Sequence, residues 1–152
     1  MERLKVKIKR LANKNGELPK MPEYKTEFSA AMDLAAFCDS SVKVAPGERL
    51  LVPTGLQIEL SEGCVALIFA RSSLASKHGL CLSNSVGVID ADYRGEVKIA
   101  MINLSDTEYE IEPGERIAQM MVLRAPQACI VEADELSETS RGEGGFGSTG
   151  RI

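Results

Sequence analysis

Between Asn84 and Glu96 the chain sets a short β-branched run, two acids one residue apart, a tyrosine and a turn glycine side by side. Val86, Val88 and Ile89 read as the end of a buried strand, Asp90 to Arg94 as an acidic bend, and Gly95 as the residue that lets the chain reverse. Val97-Lys98-Ile99-Ala100-Met101 then alternates like a returning strand, which predicts one long hairpin over the whole stretch. A carboxylate at a bend anchored by strands on both sides is held rigidly, as a general base must be. Turn-forming aspartates that bond nearby N–H groups have the same composition. The stretch by itself leaves both readings of Asp90 and Asp92 open.

Other groups with chemical potential lie apart from it. Asp33 is the one acid in the small apolar run Ala30 to Ala36. A helix fits that composition, although the run is short and bounded by turn residues, and Asp33 reads as a cap or as a site acid. At the far end, Arg141 to Gly150 offers a cation, the ring of Phe146, bare backbone N–H groups and two hydroxyls, which are groups that fold round a phosphate chain. The strand-to-helix P-loop ending in Gly-Lys-Ser/Thr is absent. Cys38, Cys64, Cys81 and Cys129 have no paired spacing, and with a single histidine they supply no zinc-ligand set. They are expected to be reduced and mostly buried. His78 reads as the end of a short helical turn or a surface residue rather than a triad base.

The elements that must position these groups are strands. Leu4, Val6 and Ile8 alternate with lysines, a half-buried strand with a charged outer face. Asn13 to Tyr24 holds Gly16, Pro19 and Pro22 without a period and is a loop. Leu56, Ile58 and Leu60 alternate, and Cys64 to Phe69 is a continuous apolar run suited to a strand buried on both faces. Tyr109 to Glu112 and Met120 to Val131 add further strands. Pro46-Gly47-Glu48-Arg49 and Pro113-Gly114-Glu115-Arg116 are the same tetrapeptide, and Pro-Gly supplies the central angles of a type II turn. Many short strands, frequent turns and no convincing helical period predict an all-β chain, a jelly-roll-like antiparallel barrel or sandwich.

At 152 residues the chain is long enough for one domain, which buries roughly 68–70% of its unfolded surface. The net charge is −4 with scattered basic residues, which argues against a nucleic-acid partner bound through a basic face. The charged start lacks the apolar core of a signal peptide, and no apolar run approaches a membrane span. A soluble intracellular protein with no membrane partner is expected, cytoplasmic or, in a eukaryotic or viral setting, nuclear. Residues 1–136 form the expected barrel. Residues 137–152, with five glycines, three serines and two threonines, form the expected mobile arm, because ordering such a tail costs ~1–2 kcal/mol per residue with little apolar area to offset it.

Taken together, five motifs resemble those of the trimeric deoxyuridine triphosphate nucleotidohydrolases, the dUTPases: Ala30 to Leu34, Arg71-Ser72-Ser73, Gly87 to Asp90 with Tyr93-Arg94-Gly95, Gly114 to Gln119, and Arg141 to Gly150. They stand in the family's order and cover nearly the whole chain. Ala70 and Ser73 occupy positions where the family more often has Pro and Gly, and Ala31 replaces a common Gly. The resemblance implies a jelly-roll homotrimer with shared active sites that converts dUTP to dUMP and pyrophosphate, with Mg2+ chelated by the triphosphate. That activity keeps uracil out of DNA and supplies dUMP for thymidylate synthesis. It further implies that Asp90 activates the attacking water and that Asp33 bonds the waters of the Mg2+ shell. Arg71, Ser72, Ser73, Gln119 and Arg141 would bind phosphate oxygens. Asn84, Gly87, Val88, Ile89 and Lys98 belong to the hairpin that would read uracil, and Tyr93 would face the deoxyribose. Phe146 would stack on the base, with Gly147 beside it and Ser148 and Thr149 on the terminal phosphate. The deoxycytidine triphosphate deaminases share the fold by resemblance but lack the tail, and a non-catalytic nucleotide sensor would be expected to have lost Asp90, Asp33 or Arg141.

Overall fold

The computed structural model describes residues 3–145, and it is a sandwich of antiparallel sheets with the jelly-roll fold. One sheet runs β1 (Val6–Arg10), β4 (Arg49–Leu60), β8 (Glu96–Asn103), β6 (Leu80–Leu82). The facing sheet runs β2 (Met32–Ala35), β10 (Arg116–Arg124), β5 (Cys64–Ala70), β7 (Gly87–Ile89). A two-stranded ribbon of β3 (Val42–Val44) and β9 (Tyr109–Ile111) completes it. Between the sheets lie Val52, Leu56, Ile58, Val97, Ile99 and Met101 from one side and Leu34, Ala66, Ile68, Ala118 and Met120 from the other. Each large apolar side chain so buried contributes ~1.5–3 kcal/mol over leaving it in water.

Period-two alternation sets which residues face inward, but it does not identify the partner strand. For Asn84 to Met101 that distinction matters. β7 pairs with β5 and β8 pairs with β4 and β6, so the two segments belong to different sheets and the expected hairpin does not form. Asp90 to Gly95 is instead an arch from one layer to the other. Six residues reach ~20 Å when extended, ample for the ~10 Å between packed sheets.

Four other expectations are corrected. Ala30 to Ala36 carries a strand, β2, because its backbone pairs with β10. The Cys64 to Ala70 strand buries one face only: Cys64, Ala66 and Ile68 are covered, whereas Val65, Leu67 and Phe69 are half-exposed. The last strand stops at Arg124, opposite Cys64 at the start of β5, and Pro126 two residues later has no N–H for a ladder. Ile130 and Val131 are therefore exposed, and no helix or strand forms from Ala125 to Gly145. The four cysteines are free, but only Cys64 is buried and Cys129 is exposed.

The repeated tetrapeptide folds the same way twice. Gly47 and Gly114 take φ of 76° and 79°, and Glu48 N–H and Glu115 N–H each close the turn on the carbonyls of Ala45 and Glu112 at 3.0 Å. In both, the glutamate carboxylate accepts from the first turn residue, Ala45 N–H at 2.8 Å and Glu112 N–H at 3.0 Å. Both then dock on a neighbouring strand, through Gly47 N–H to the Asn103 carbonyl and Gly114 N–H to the Ala36 carbonyl, each 2.8 Å. Helix α1 (Ser72–His78) is the only helix among the described residues, closed by Gly79 at φ 65° with His78 at its end, as expected from the sequence. No helix among those residues is long and apolar enough to cross a membrane.

Candidate active site

Two groups of the expected residues assemble on different walls. The first gathers where β2, β10 and the end of β5 lie side by side. β10 pairs with β2 on one flank and β5 on the other, and this places Gln119 opposite both Asp33 and Phe69. Arg71 follows β5 directly and caps α1. The Asp33 carboxylate, 16% exposed, pairs with two guanidiniums: Arg116 Nη1 donates to Oδ2 at 2.8 Å, and Arg71 Nε lies 3.3 Å from Oδ1 as an ion pair. Arg71 Nη1 also donates to the Arg116 carbonyl at 2.8 Å, and Gln119 Nε2 donates to the Ala70 carbonyl at 3.0 Å. Ser72 and Ser73 open α1, whose first turn has no side-chain cap and no acid. The departures from the family pattern at Ala70 and Ser73 thus sit at the end of β5 and in that first turn, where Ser73 is exposed.

A cavity of about 710 Å³ opens over this cluster, walled by Lys25, Ala31, Asp33, Arg71, Arg116 and Gln119 among others. Its charged side chains are three cations against one carboxylate. A polyanion fits such a wall.

The second group is the arch. Asp90 is exposed, and among the described residues no donor bonds its carboxylate; its carbonyl accepts from Tyr93 N–H at 3.2 Å. Tyr93 closes the arch from above: its hydroxyl donates to the Glu96 carbonyl at 3.0 Å. Its ring lies across Gly95, where any Cβ would collide with it. Glu96 ties the arch to β4, accepting from Gly55 N–H at 2.8 Å, and Gln57 Nε2 donates to the Arg94 carbonyl at 2.8 Å. Leu51, Ile89, Tyr93, Glu96 and Lys98 wall a second cavity of about 350 Å³. Among the described residues β7, carrying Gly87, Val88 and Ile89, has a strand partner on one side only. As an edge strand it keeps backbone N–H and C=O groups free for a ligand, which pairing in a hairpin would have used up. Asn84 lies in the tight turn before it, where Ser85 holds a left-handed φ of 63°.

Neither cavity has a wall residue in common with the other. Arg141 joins neither group; its Nε donates to the Gly144 carbonyl at 2.8 Å within its own turn. Phe146, Gly147, Ser148 and Thr149 lie outside the described residues.

Arg116, Glu96 and Lys25 were not singled out from the sequence. Arg116 sits in the repeated tetrapeptide and reads as a turn residue like Arg49; only the strand order brings it to Asp33. Nearby, Tyr109 donates to Glu115 Oε1 at 2.6 Å and packs its ring 5.0 Å from His78. Burial of the phenol, then the bond to and charge of Glu115, push Tyr109 up to about 12.

The dUTPase family model matches residues 19–150. The deoxyuridine 5'-triphosphate nucleotidohydrolase of Rickettsia prowazekii is 50% identical over 147 residues, covering 97% of this chain and 97% of the relative. That of Wolbachia pipientis subsp. Culex pipiens is 47% identical over 152 residues, covering 99% and 98%. Among solved structures, the Staphylococcus bacteriophage 80alpha dUTPase with dUpNHpp matches with a TM-score of 0.84 at 29% identity, covering 96% of this chain and 98% of that one. The dUTPase from Streptococcus mutans matches with a TM-score of 0.67 at 34% identity, over 72% and 88%. A family match over most of the chain, relatives at half identity along nearly its full length and a shared fold lead to one conclusion: the chain belongs to the dUTPase family.

Proposed function

We propose that the chain hydrolyses dUTP to dUMP and pyrophosphate, with Asp90 activating the water that attacks the α-phosphorus and the triphosphate arriving as its Mg2+ chelate. As a member of its family it is a dUTP diphosphatase. The observation that carries the reading is the cavity over Asp33, whose cations suit a triphosphate. The relative solved with dUpNHpp supports the choice of nucleotide.

Each residue has a physical task. An exposed carboxylate on a braced arch can accept the water's proton without losing hydrogen bonds of its own, and a general base typically contributes ~10²–10⁴ in rate. Arg71, Arg116 and Gln119, with Ser72 and Ser73 in the first turn of α1, meet the phosphate oxygens where charge develops. With its guanidinium partners turned to phosphate, Asp33 would be the carboxylate that holds the waters of the metal. Mg2+ would supply neutralisation of phosphate charge and polarisation of the phosphoryl oxygens. Among the described residues no group of three or more His, Cys, Asp or Glu side chains could hold a metal. That donor set fits an ion carried in on the triphosphate and touched through water, because Mg2+ keeps several waters and takes few protein ligands.

The free backbone edge of β7 reads uracil, with Asn84 and Lys98 flanking it and Tyr93 against the sugar. Residues 137–152 act as an arm that closes over the site with Arg141, Phe146, Gly147, Ser148 and Thr149, leaving residues 1–136 as the catalytic barrel. A complete site draws on more than one copy of the chain, in a closed homotrimer, as the family resemblance implies; the separate cavities of the arch and the Arg71 cluster support that reading. The setting is intracellular, where the reaction keeps uracil from DNA and yields dUMP for thymidylate synthesis.

A turnover panel of dUTP, dCTP, dTTP and UTP tests the reading. Pyrophosphate release should favour dUTP by ~10⁴–10⁵ over a base that leaves the pocket's polar groups unpaired. Comparable kcat/KM for dCTP, or ammonia in place of pyrophosphate, would overturn it.

A further inference from the structure

The segment from Pro19 to Ser29 crosses in front of Asp33 and is pinned there by its own backbone: Asp33 N–H donates to the Glu23 carbonyl at 3.2 Å. Thr26 and Ser29 close a turn immediately after Lys25, with Ser29 N–H on the Thr26 carbonyl at 3.1 Å and the two hydroxyls 2.8 Å apart. Lys25 is thereby placed at the mouth of the site. It borders the 710 Å³ cavity and an adjoining one of about 700 Å³, and Asp33, Arg71 and Arg116 border both as well.

The three cations of the first cavity are committed differently. Arg71 and Arg116 are held by Asp33 inside the site. Lys25 pairs with Glu23, two residues away and 65% exposed on its side chain, and Lys25 itself is 44% exposed. Their bond, together with the nearby charges of Lys25 and Arg116, holds the Glu23 carboxyl below the usual carboxylate range. Exposed ion pairs of this kind are weak, so exchanging such a partner costs little.

We propose that Lys25 is a substrate-binding residue, a cation stored on Glu23 that transfers to the phosphate chain when nucleotide enters the cavity over Asp33. The assignment rests on the reading of that cavity as the triphosphate site. In the free protein the Glu23 carboxylate occupies Lys25 and keeps the cavity mouth close to neutral. In the complex the incoming oxygens, with more charge, outcompete it, while Glu23 turns to water. An Arg serves the same purpose, since only a cation at this reach is needed; a neutral side chain does not.

Equilibrium binding of dUpNHpp, the imido analogue of dUTP, tests the proposal without turnover. Lys25→Gln should weaken binding about two- to five-fold, the scale of an exposed ion pair, and Lys25→Arg should retain wild-type affinity. Glu23→Gln releases Lys25 and should not weaken binding. If Lys25→Gln binds as wild type does, or if Glu23→Gln weakens binding as much as Lys25→Gln, the pair is only a fastening of the loop and the proposal fails. Arg71→Ala, measured alongside, separates the two levels. Weakened binding there with none at Lys25 removes the Lys25 assignment alone, whereas wild-type binding by both variants removes the reading of the cavity as the phosphate site.

Discussion

Replacing Asp33 by Asn removes one charge from the centre of the cationic cluster while keeping its shape. In the free protein the two carboxylate oxygens serve two guanidiniums, at 3.3 Å to Arg71 and 2.8 Å to Arg116. An amide has one oxygen and no charge, so whichever way it turns its NH2 faces a cation and at least one of the two pairings is lost. Hydrogen bonds to charged groups contribute ~1.5–3 kcal/mol when shielded. The Arg116 side chain is 47% exposed, and exposed pairs contribute only ~0.2–1 kcal/mol. A net loss of ~1–2 kcal/mol follows, or ~2–8 °C in Tm for a chain of this size, read at fixed protein concentration because oligomers unfold in a concentration-dependent way. Nucleotide binding separates the two tasks of Asp33. Without divalent metal, the Asn variant lacks the charge that competes with phosphate and should bind dUpNHpp at least as well as wild type. With Mg2+ present it has no carboxylate for the metal's waters and should fall behind, and hydrolysis should drop at least about tenfold. An equal loss of affinity with and without Mg2+ would refute the second task, and an unchanged Tm would refute the first.

Asp90→Asn should leave folding and dUpNHpp binding intact and lower hydrolysis by ~10²–10⁴; more than about a tenth of wild-type turnover would remove Asp90 from the base role. Tyr93→Ala should relax discrimination against UTP in kcat/KM, and unchanged selectivity would show that the ring serves the arch alone. Tyr109, raised above its usual 10 to about 12, contributes stability that is fully present below pH 10 and lost as pH rises through 12. Urea midpoints should therefore fall less steeply over that window in Tyr109→Phe than in wild type, and parallel curves would contradict it. Co-refolding Asp90→Asn with a chain ending at Leu136 should restore activity at about a quarter of sites if base and arm come from different chains; confirmed mixed trimers no more active than their parents would exclude sharing.

Much of the fold follows from local chemistry. Alternation at Leu56, Ile58 and Leu60 and the Pro-Gly pairs at 46–47 and 113–114 specify faces and turns within a few residues, and the structure has them where expected. Partner choice is not local. The arch was legible as two alternating segments around an acidic bend, but whether they pair with each other depends on β5 and β4 competing for them. The same holds for the site. Asp33, Arg71 and Gln119 carry site roles implied by the family motifs, whereas Arg116, inside the Gly114 to Gln119 motif, reads as a turn residue and joins them because β10 lies next to β2. Lys25 and Glu96 carry no sequence signal, since an isolated charge in a loop or at a strand end is usually solvated.

The repeated turn gives the molecule an internal control. Glu48 and Glu115 make the same backbone bond in the same tetrapeptide, but only Glu115 also accepts from Tyr109, and only the following Arg116 reaches Asp33. Whatever a substitution at Glu48 does to folding measures the turn as a turn. The excess at Glu115 then isolates what the surroundings of the site have added to an ordinary piece of local structure, a comparison that usually requires a second protein.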